Sequence, residues 1–551
     1  MKGKIVCMMM TLCMVTALVA GCGNSEGSTS GSGGSEAKDS SQSSDRSDGD
    51  SGANSSGASG DTQEADAGSG AAASDEDMSD INMVIISMSS IPSGLSAVED
   101  AINDITEAKI NTHVNIEMIE VGNYEQQVGL KLSSGETTDL LVTLPTGSAS
   151  FSVMASQGQL MDITDLLSEY GQETLDTVGD LLNATTLNGA VYGVPTYRSM
   201  VTSTYISMRT DVLEDLGLLE KARNMTTFTE YEEILEAVKN SEKWNYLAGI
   251  VAVGDGEILA KPGTFQGVDA FADATVFDQL GDLNKLICIP TDGSTTTIEN
   301  YFETEEYRAM YDKVKSWYEK GYIYKDSNTT NESGSNLVKS NAAFSSIISS
   351  EIGVEASQTS ACGYDMTCVK IATQPVSTSS CQKFVWAVPS TSAEPEAAVK
   401  MMNLMYTDAQ IANLLAWGIE DVNYVVKDGL ACFVDGESAD NAAYHTVDFL
   451  YGNQFLVYPW EGSDADLREQ AMEEMNEAPV SEFLGFSCDT SELSTALSSI
   501  INTLNEYRPS VESGMASGED FTAFLEKLQA SGVSEVIAAY QEQLDAWLES
   551  R

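Results

Sequence analysis

Three hydrophobic patterns succeed one another along the chain. Behind Lys2 and Lys4, residues Ile5 to Ala20 form one apolar stretch closed by small residues. From Gly23 to about Asp80 there is no aromatic residue and almost no large aliphatic one, only Gly, Ser, Ala, Asp and Glu in quantity. From Ile81 onward the apolar positions take up strand and helix periods in turn. Ile81–Met88 (INMVIISM) predicts a strand, and Gly94–Ile110 places Leu95, Val98, Ala101, Ile102 and Ile105 at helical spacing. Val114–Val121 predicts a second strand, Tyr124–Ser133 a second helix and Asp139–Leu144 (DLLVTL) a third strand. A βαβαβ series of this kind predicts a parallel sheet covered by helices.

Further on, Asn188-Gly189 between apolar residues signals a tight hairpin. Val201–Met208 predicts a strand, Thr210–Leu216 a helix, and Thr229–Lys239 an amphipathic helix capped by Thr227 or Thr229. In open α/β sheets ligands meet the loops beyond the carboxyl ends of the strands. Ser89–Ser93 and Pro145–Ser150 are those loops, with hydroxyl and backbone groups suited to a polar ligand and equally to ordinary turns.

The amino-terminal pattern has the layout of a secretory signal and is too short for a good membrane span. Val19-Ala20-Gly21-Cys22 resembles the bacterial lipobox, which implies cleavage before Cys22 and a diacylglyceryl group on that residue, whose two acyl chains suffice for a stable anchor. The polar stretch cannot bury enough surface to order itself and is expected to act as a disordered tether over 23–80. As a flexible coil it would reach about 40 Å. The body of about 470 residues is too long for one simple core and fits two lobes. A net charge of -56 argues against nucleic acid and anionic lipid headgroups as partners.

Of nine cysteines, Cys7 and Cys13 fall in the signal and Cys22 in the lipobox. Cys288, Cys362, Cys368, Cys381, Cys432 and Cys488 remain without a C-x-x-C pair, and Cys362 with Cys368 or Cys381 is close enough in sequence for a disulfide, although isolated buried cysteines would look the same. Only two histidines exist, His113 and His445, so a His-ligated zinc site or a Ser-His-Asp triad would have to use one of them. His113, beside a predicted strand, reads as structural. No H-E-x-x-H, phosphate-binding loop or EF-hand loop is present, and no metal or cofactor is expected.

The lipobox, the βαβαβ opening, NGAVYGVPTYRSM, TSTYISMRTDVLEDLGL and FTEYEEILEAVK together resemble family 1 extracellular solute-binding proteins, the receptors of ABC importers. FVWAVPSTSAEPEAAVKMMNLMYTD resembles the return of such chains to their first lobe. LLAWGIEDVNYVV, GNQFLVYPWEG and the stretch from GFSCDTSEL to the end resemble LipO-like lipoproteins with a C-terminal region of unknown function. The resemblance implies a two-lobed α/β fold of the periplasmic-binding-protein type (type II), with a ligand cleft between the lobes. Crossings are expected near Pro195–Ser199, Cys381–Trp386 and Trp417–Tyr424, dividing the body into 81–197 with 385–420 and 198–384 with 421–551.

A sugar receptor needs aromatic plates edged by planar polar groups. Tyr197, Arg198, Trp417, Glu420, Tyr424, Asn453, Gln454 and Trp460, with Tyr458 nearby, supply those types, core packing being the competing role of each aromatic. The resulting expectation is a monomeric, lipid-anchored receptor on the outer face of the cell membrane. It would pass an oligosaccharide or modified sugar to ABC permease subunits, without covalent chemistry. A glycan-active enzyme and a sensory solute receptor are the alternatives, separable by turnover and by neighbouring genes.

Overall fold

The computed structural model describes residues 78–251, 266, 268–282, 284–330, 332–439 and 441–551. The signal, Cys22 and nearly all of the tether lie outside them. Strands building the two lobes are β1 (Ser79–Ser87), β2 (Thr112–Glu120), β3 (Leu140–Val142), β4 (Val194–Pro195), β5 (Ser203–Arg209), β6 (Ala248–Val251), β7 (Ala343–Ser350), β8 (Met366–Thr373) and β9 (Val385–Ala387). A hairpin of β10 (Tyr424–Lys427) and β11 (Leu430–Phe433) follows.

The first sheet has the order β2-β1-β3-β9-β4. Its opening strands are parallel, as the βαβαβ pattern predicts, and β9 inserts antiparallel between β3 and β4. Helices α1 (Leu95–Ile110) and α2 (Val121–Ser134) connect the parallel strands. Asn188 and Gly189, with φ of 52° and 83°, make the tight hairpin that their sequence signals. The second sheet runs β8-β5-β7-β6. Against it packs α3 (Phe228–Asn240), capped by Thr227, whose hydroxyl accepts the Glu230 amide at 3.2 Å; Thr229 is not the cap.

Each sheet has its own hydrophobic core. The first contains Ile85, Val142, Trp386 and Met402; the second contains Ile206, Tyr231, Trp317 and Ile347. Helix α4 (Glu305–Glu319) lies in the second core. The first core is covered by α5 (Pro395–Thr407) and α6 (Ala409–Trp417), and a short helix, α7 (Leu467–Glu477), follows later in the chain. Three C-terminal helices, α8 (Ser494–Glu512), α9 (Gly518–Ala530) and α10 (Val533–Ser550), extend the second core through Ile500, Phe524 and Val536. The fold is the two-lobed α/β architecture of type II solute-binding proteins.

One expectation is corrected. The third crossing is not at Trp417–Tyr424, because Tyr424, Ala431, Tyr444, Leu450, Tyr451 and Val457 are all buried in the first core. The stretch after Tyr424, expected with the second lobe, instead buries Tyr444 and Tyr451 in the first core together with α5 and α6. The chain leaves the first core only after Trp460 and crosses through α7. Of the two readings of the body cysteines, isolated residues and a Cys362 bridge, the structure has the first: all six are free thiols and Cys288, Cys362, Cys381 and Cys432 are buried.

Candidate functional site

The orientation of α6 fixes where the aromatic residues lie. At its amino end Asp408 caps the helix, accepting the Gln410 amide at 2.8 Å, and pairs with Lys109 in the last turn of α1. At its carboxyl end the Leu415 carbonyl accepts hydrogen bonds from the Tyr444 hydroxyl at 2.9 Å and the Thr446 hydroxyl at 3.0 Å. Next to Tyr444, the Ala443 carbonyl receives the Gly94 amide at 2.8 Å, just before α1 begins. Helix α6 is thus antiparallel to α1, and Trp417 arrives at the carboxyl end of β1 beside the Ser89–Ser93 loop. This is the face where an α/β lobe meets its ligand.

Four rings assemble there. Trp417 lies 4.7 Å from Trp460 and 5.1 Å from His445, while Phe433 on β11 lies 4.7 Å from Trp460 and 5.2 Å from His445. Trp417 itself is only 4% exposed, and its indole N–H donates to the Tyr458 carbonyl at 3.0 Å. It is the floor of the assembly. The partly open surface belongs to Trp460, His445 and Tyr458, the last 39% exposed, with Glu420 and Val422 exposed in the adjoining turn. Tyr424 is buried, and burial raises its phenol above the ordinary range. Burial likewise holds His445 down at about 4, and its Nε2 has no hydrogen-bond partner among the described residues.

The remaining expected residues converge on the lobe crossings. In the first crossing, Thr196–Thr202, the Tyr197 amide donates to the Gly452 carbonyl at 2.7 Å, and the Gln454 amide to the Tyr197 carbonyl at 2.8 Å. The Gln454 side chain accepts the Ser199 amide at 3.2 Å. Asn453 turns inward, its Oδ1 taking the Phe455 amide at 3.0 Å and its Nδ2 reaching the Tyr406 carbonyl at 3.2 Å. Arg198 is 5% exposed and donates to the Ser199 carbonyl at 2.7 Å and the Ser380 carbonyl at 3.1 Å, so it ties the first crossing to the second. Burial lowers its guanidinium below its usual range, opposed by Glu351 at 3.9 Å. The side chains of Arg198, Asn453 and Gln454 already hold protein partners at the crossings, while the half-buried Tyr197 ring packs 5.3 Å from Phe455.

The second crossing joins β8 to β9 and lies beside the first, with the Gln374 amide on the Thr202 carbonyl at 2.9 Å and the Thr196 amide on the Phe384 carbonyl at 3.0 Å. In the third, α7 binds both sides. Arg468 pairs with Asp448 and donates to the Val457 carbonyl at 3.1 Å; Glu474 accepts Lys370 at 2.6 Å and the Ser203 hydroxyl at 3.3 Å. Ala184, Met200, Val201, Val376, Cys381, Ala478 and Leu484 form a small separate core where the three crossings meet. Sequence reasoning misses α7 as a crossing and does not single out Glu351. Glu351 follows the run Ala342–Ser350, and the carboxyl-end rule applied to that strand would have found it.

Residues 100–425 match the family described as bacterial extracellular solute-binding protein, and residues 482–549 match a domain of unknown function (DUF3502). The chain belongs to that solute-binding family. It is 22% identical over 477 residues to a carbohydrate ABC transporter substrate-binding protein of Streptococcus pneumoniae serotype 4, covering 84% of this chain and 89% of the relative. Among solved structures it is similar to the N-glycan transport solute-binding protein NgtS of Streptococcus pneumoniae, with a TM-score of 0.69 at 21% identity, covering 86% of this chain and 99% of that one. An HMO-binding, ABC-transporter-associated solute-binding protein of Bifidobacterium longum infantis gives a TM-score of 0.58 at 15% identity, with coverages of 86% and 99%.

Proposed function

We propose that this protein is the lipid-anchored receptor of an ABC importer for an oligosaccharide, held between its lobes and handed on unaltered to permease subunits. The observation that carries the reading is the ring assembly of Trp417, Phe433, His445 and Trp460 at the carboxyl end of the first sheet, in a fold whose lobes have separate cores. Aromatic faces complement the apolar faces of pyranose rings. The names of the pneumococcal and bifidobacterial relatives support a glycan as the ligand. Tyr458, Trp460 and Glu420 are open at the ring plate, and Tyr197 is half-buried at the first crossing. Arg198, Asn453 and Gln454 hold the hinge, and Trp417 and Tyr424 support the plate from beneath. We assign 81–195 with 385–461 to one lobe and 203–373 with 478–551 to the other. Among the described residues no helix is long and apolar enough to cross a membrane, and Cys22 supplies the attachment.

Titration calorimetry against Man1GlcNAc, Man5GlcNAc and a milk-oligosaccharide panel, with chromatography of the glycans afterwards, tests the reading. Stoichiometric binding with intact glycan is expected; accumulating product would make the protein an enzyme. Cys22→Ala is expected to leave unprocessed precursor or released protein, and continued processing with membrane retention would remove the lipid anchor.

A further inference from the structure

We propose that Glu351 is the ligand-contacting carboxylate of the second lobe, accepting hydrogen bonds from hydroxyl groups of an uncharged saccharide laid against the Tyr458 and Trp460 rings of the first. The inference rests on the receptor reading above. A solute shifts the balance between open and closed lobes only through interactions that differ between the two states, so it must engage both lobes. All of the rings at the plate belong to the first lobe, and the second needs a contact of its own.

Glu351 occupies the place where such a contact is built. It is the residue immediately after β7, at the carboxyl end of an inner strand of the second sheet. Ser350 pairs with Ser203, where β5 emerges from the first crossing, so this end of the sheet faces the hinge and the first lobe. Its side chain keeps 37% exposure, and Arg198 stands 3.9 Å away, near enough to orient the carboxylate without engaging it in a hydrogen bond. Among the described residues no donor hydrogen-bonds the carboxylate. An ionised carboxylate offers about four acceptor sites, and no described donor takes any of them.

The surrounding charges decide the class of solute. Arg198 and Lys383 reach Glu351 from the first two crossings, Asp448 from the first lobe and Glu474 from α7. Crowding by protein raises the carboxyl above its ordinary range, and the two cations oppose that shift. Asp448 and Glu474 are each held by a cation of their own, Arg468 and Lys370, so with Glu420 at the ring plate the carboxylates and cations are equal in number and no cation is left over for an acidic solute. A uronate or sialylated glycan would bring further negative charge into this setting, whereas neutral hydroxyls complement it.

The test compares wild type with Glu351→Ala and Glu351→Gln, using Man5GlcNAc and the other glycans of the panel as probes. Affinity is measured by calorimetry and melting temperature without ligand. Expected is a loss of at least tenfold for Glu351→Ala and a smaller loss for Glu351→Gln, with melting temperatures unchanged or raised because a crowded carboxylate has been removed. Affinities within twofold of wild type for both variants, or losses that appear only with a lowered melting temperature, overturn the assignment. Tight wild-type binding of an acidic glycan overturns the neutral class. If wild type binds no saccharide of the panel, the receptor-for-glycans reading itself fails and this inference falls with it, an outcome distinguishable from insensitive variants of a binding wild type.

Discussion

At the scale of single residues, the ring assembly separates stacking from support. Trp417 is nearly enclosed and hydrogen-bonded to the Tyr458 carbonyl, so Trp417→Ala is expected to cost about 3–5 kcal/mol of stability, the usual range for a core tryptophan. Trp460→Ala is expected to lower glycan affinity about tenfold or more with a smaller effect on folding. Calorimetry and thermal melts on both variants check the split. His445 gives a pH signature. Its folded pKa, about 4, lies below the unfolded value near 6.5, so the unfolded chain takes the proton first and stability falls as pH drops from 6.5 toward 4. Between pH 7 and 5 the loss from this residue is expected to be on the order of 2 kcal/mol, and it should shrink with remaining solvent access. Chemical denaturation at both pH values should show a flatter dependence in His445→Phe. The sequence showed which residue types matter here, because aromatic and planar polar side chains are recognisable anywhere. It did not show their exposure. Asn453, Gln454 and Arg198 look like sugar-binding residues until their partners prove to be main-chain groups of α5 and of the crossings.

At the scale of elements, legibility followed local periodicity. The β1-α1-β2-α2-β3 series and the Asn188-Gly189 hairpin were readable because each is specified by its own few residues. The third crossing was not, because α7 is short and its role comes from partners far away in sequence: Asp448 and Val457 on one side, Ser203 and Lys370 on the other. The join between the first core and the first crossing depends on one glycine. Gly452 has φ of 65°, and a Cβ there would lie 2.3 Å from the Met405 carbonyl oxygen. Gly452→Ala is expected to cost about 3 kcal/mol or more, since both the left-handed backbone and the contact are unfavourable. It should also loosen the Tyr197–Gly452 hydrogen bond. Hydrogen exchange at the Tyr197 amide would report that loosening, and unchanged protection would show that the site relaxes freely.

For the whole molecule, two lobe cores and a third, smaller core at the crossings describe a hinge with three parallel connections. Binding of the solute is expected to reduce the radius of gyration slightly in small-angle scattering on protein lacking residues 1–77. An unchanged profile at saturation would remove hinge closure while leaving binding intact. The strongly acidic composition, with 84 Asp and Glu against 28 Lys and Arg, keeps such a body dispersed in solution while it moves.

The antiparallel insertion of β9 between β3 and β4 also determines when the protein can become folded. The Val385 amide bonds the Thr143 hydroxyl across 242 residues of sequence, and neither β3 nor β4 has its inner neighbour until that distance has been traversed. A chain threaded through a membrane from its amino end therefore cannot complete its first sheet while residues beyond 385 are still inside. Long-range pairing of this kind is slow and leaves strand edges open in the interval. The topology thus favours passage in an unfolded state and assembly after release, and it exposes the emerging chain to extracytoplasmic chaperones and proteases until the middle strand arrives.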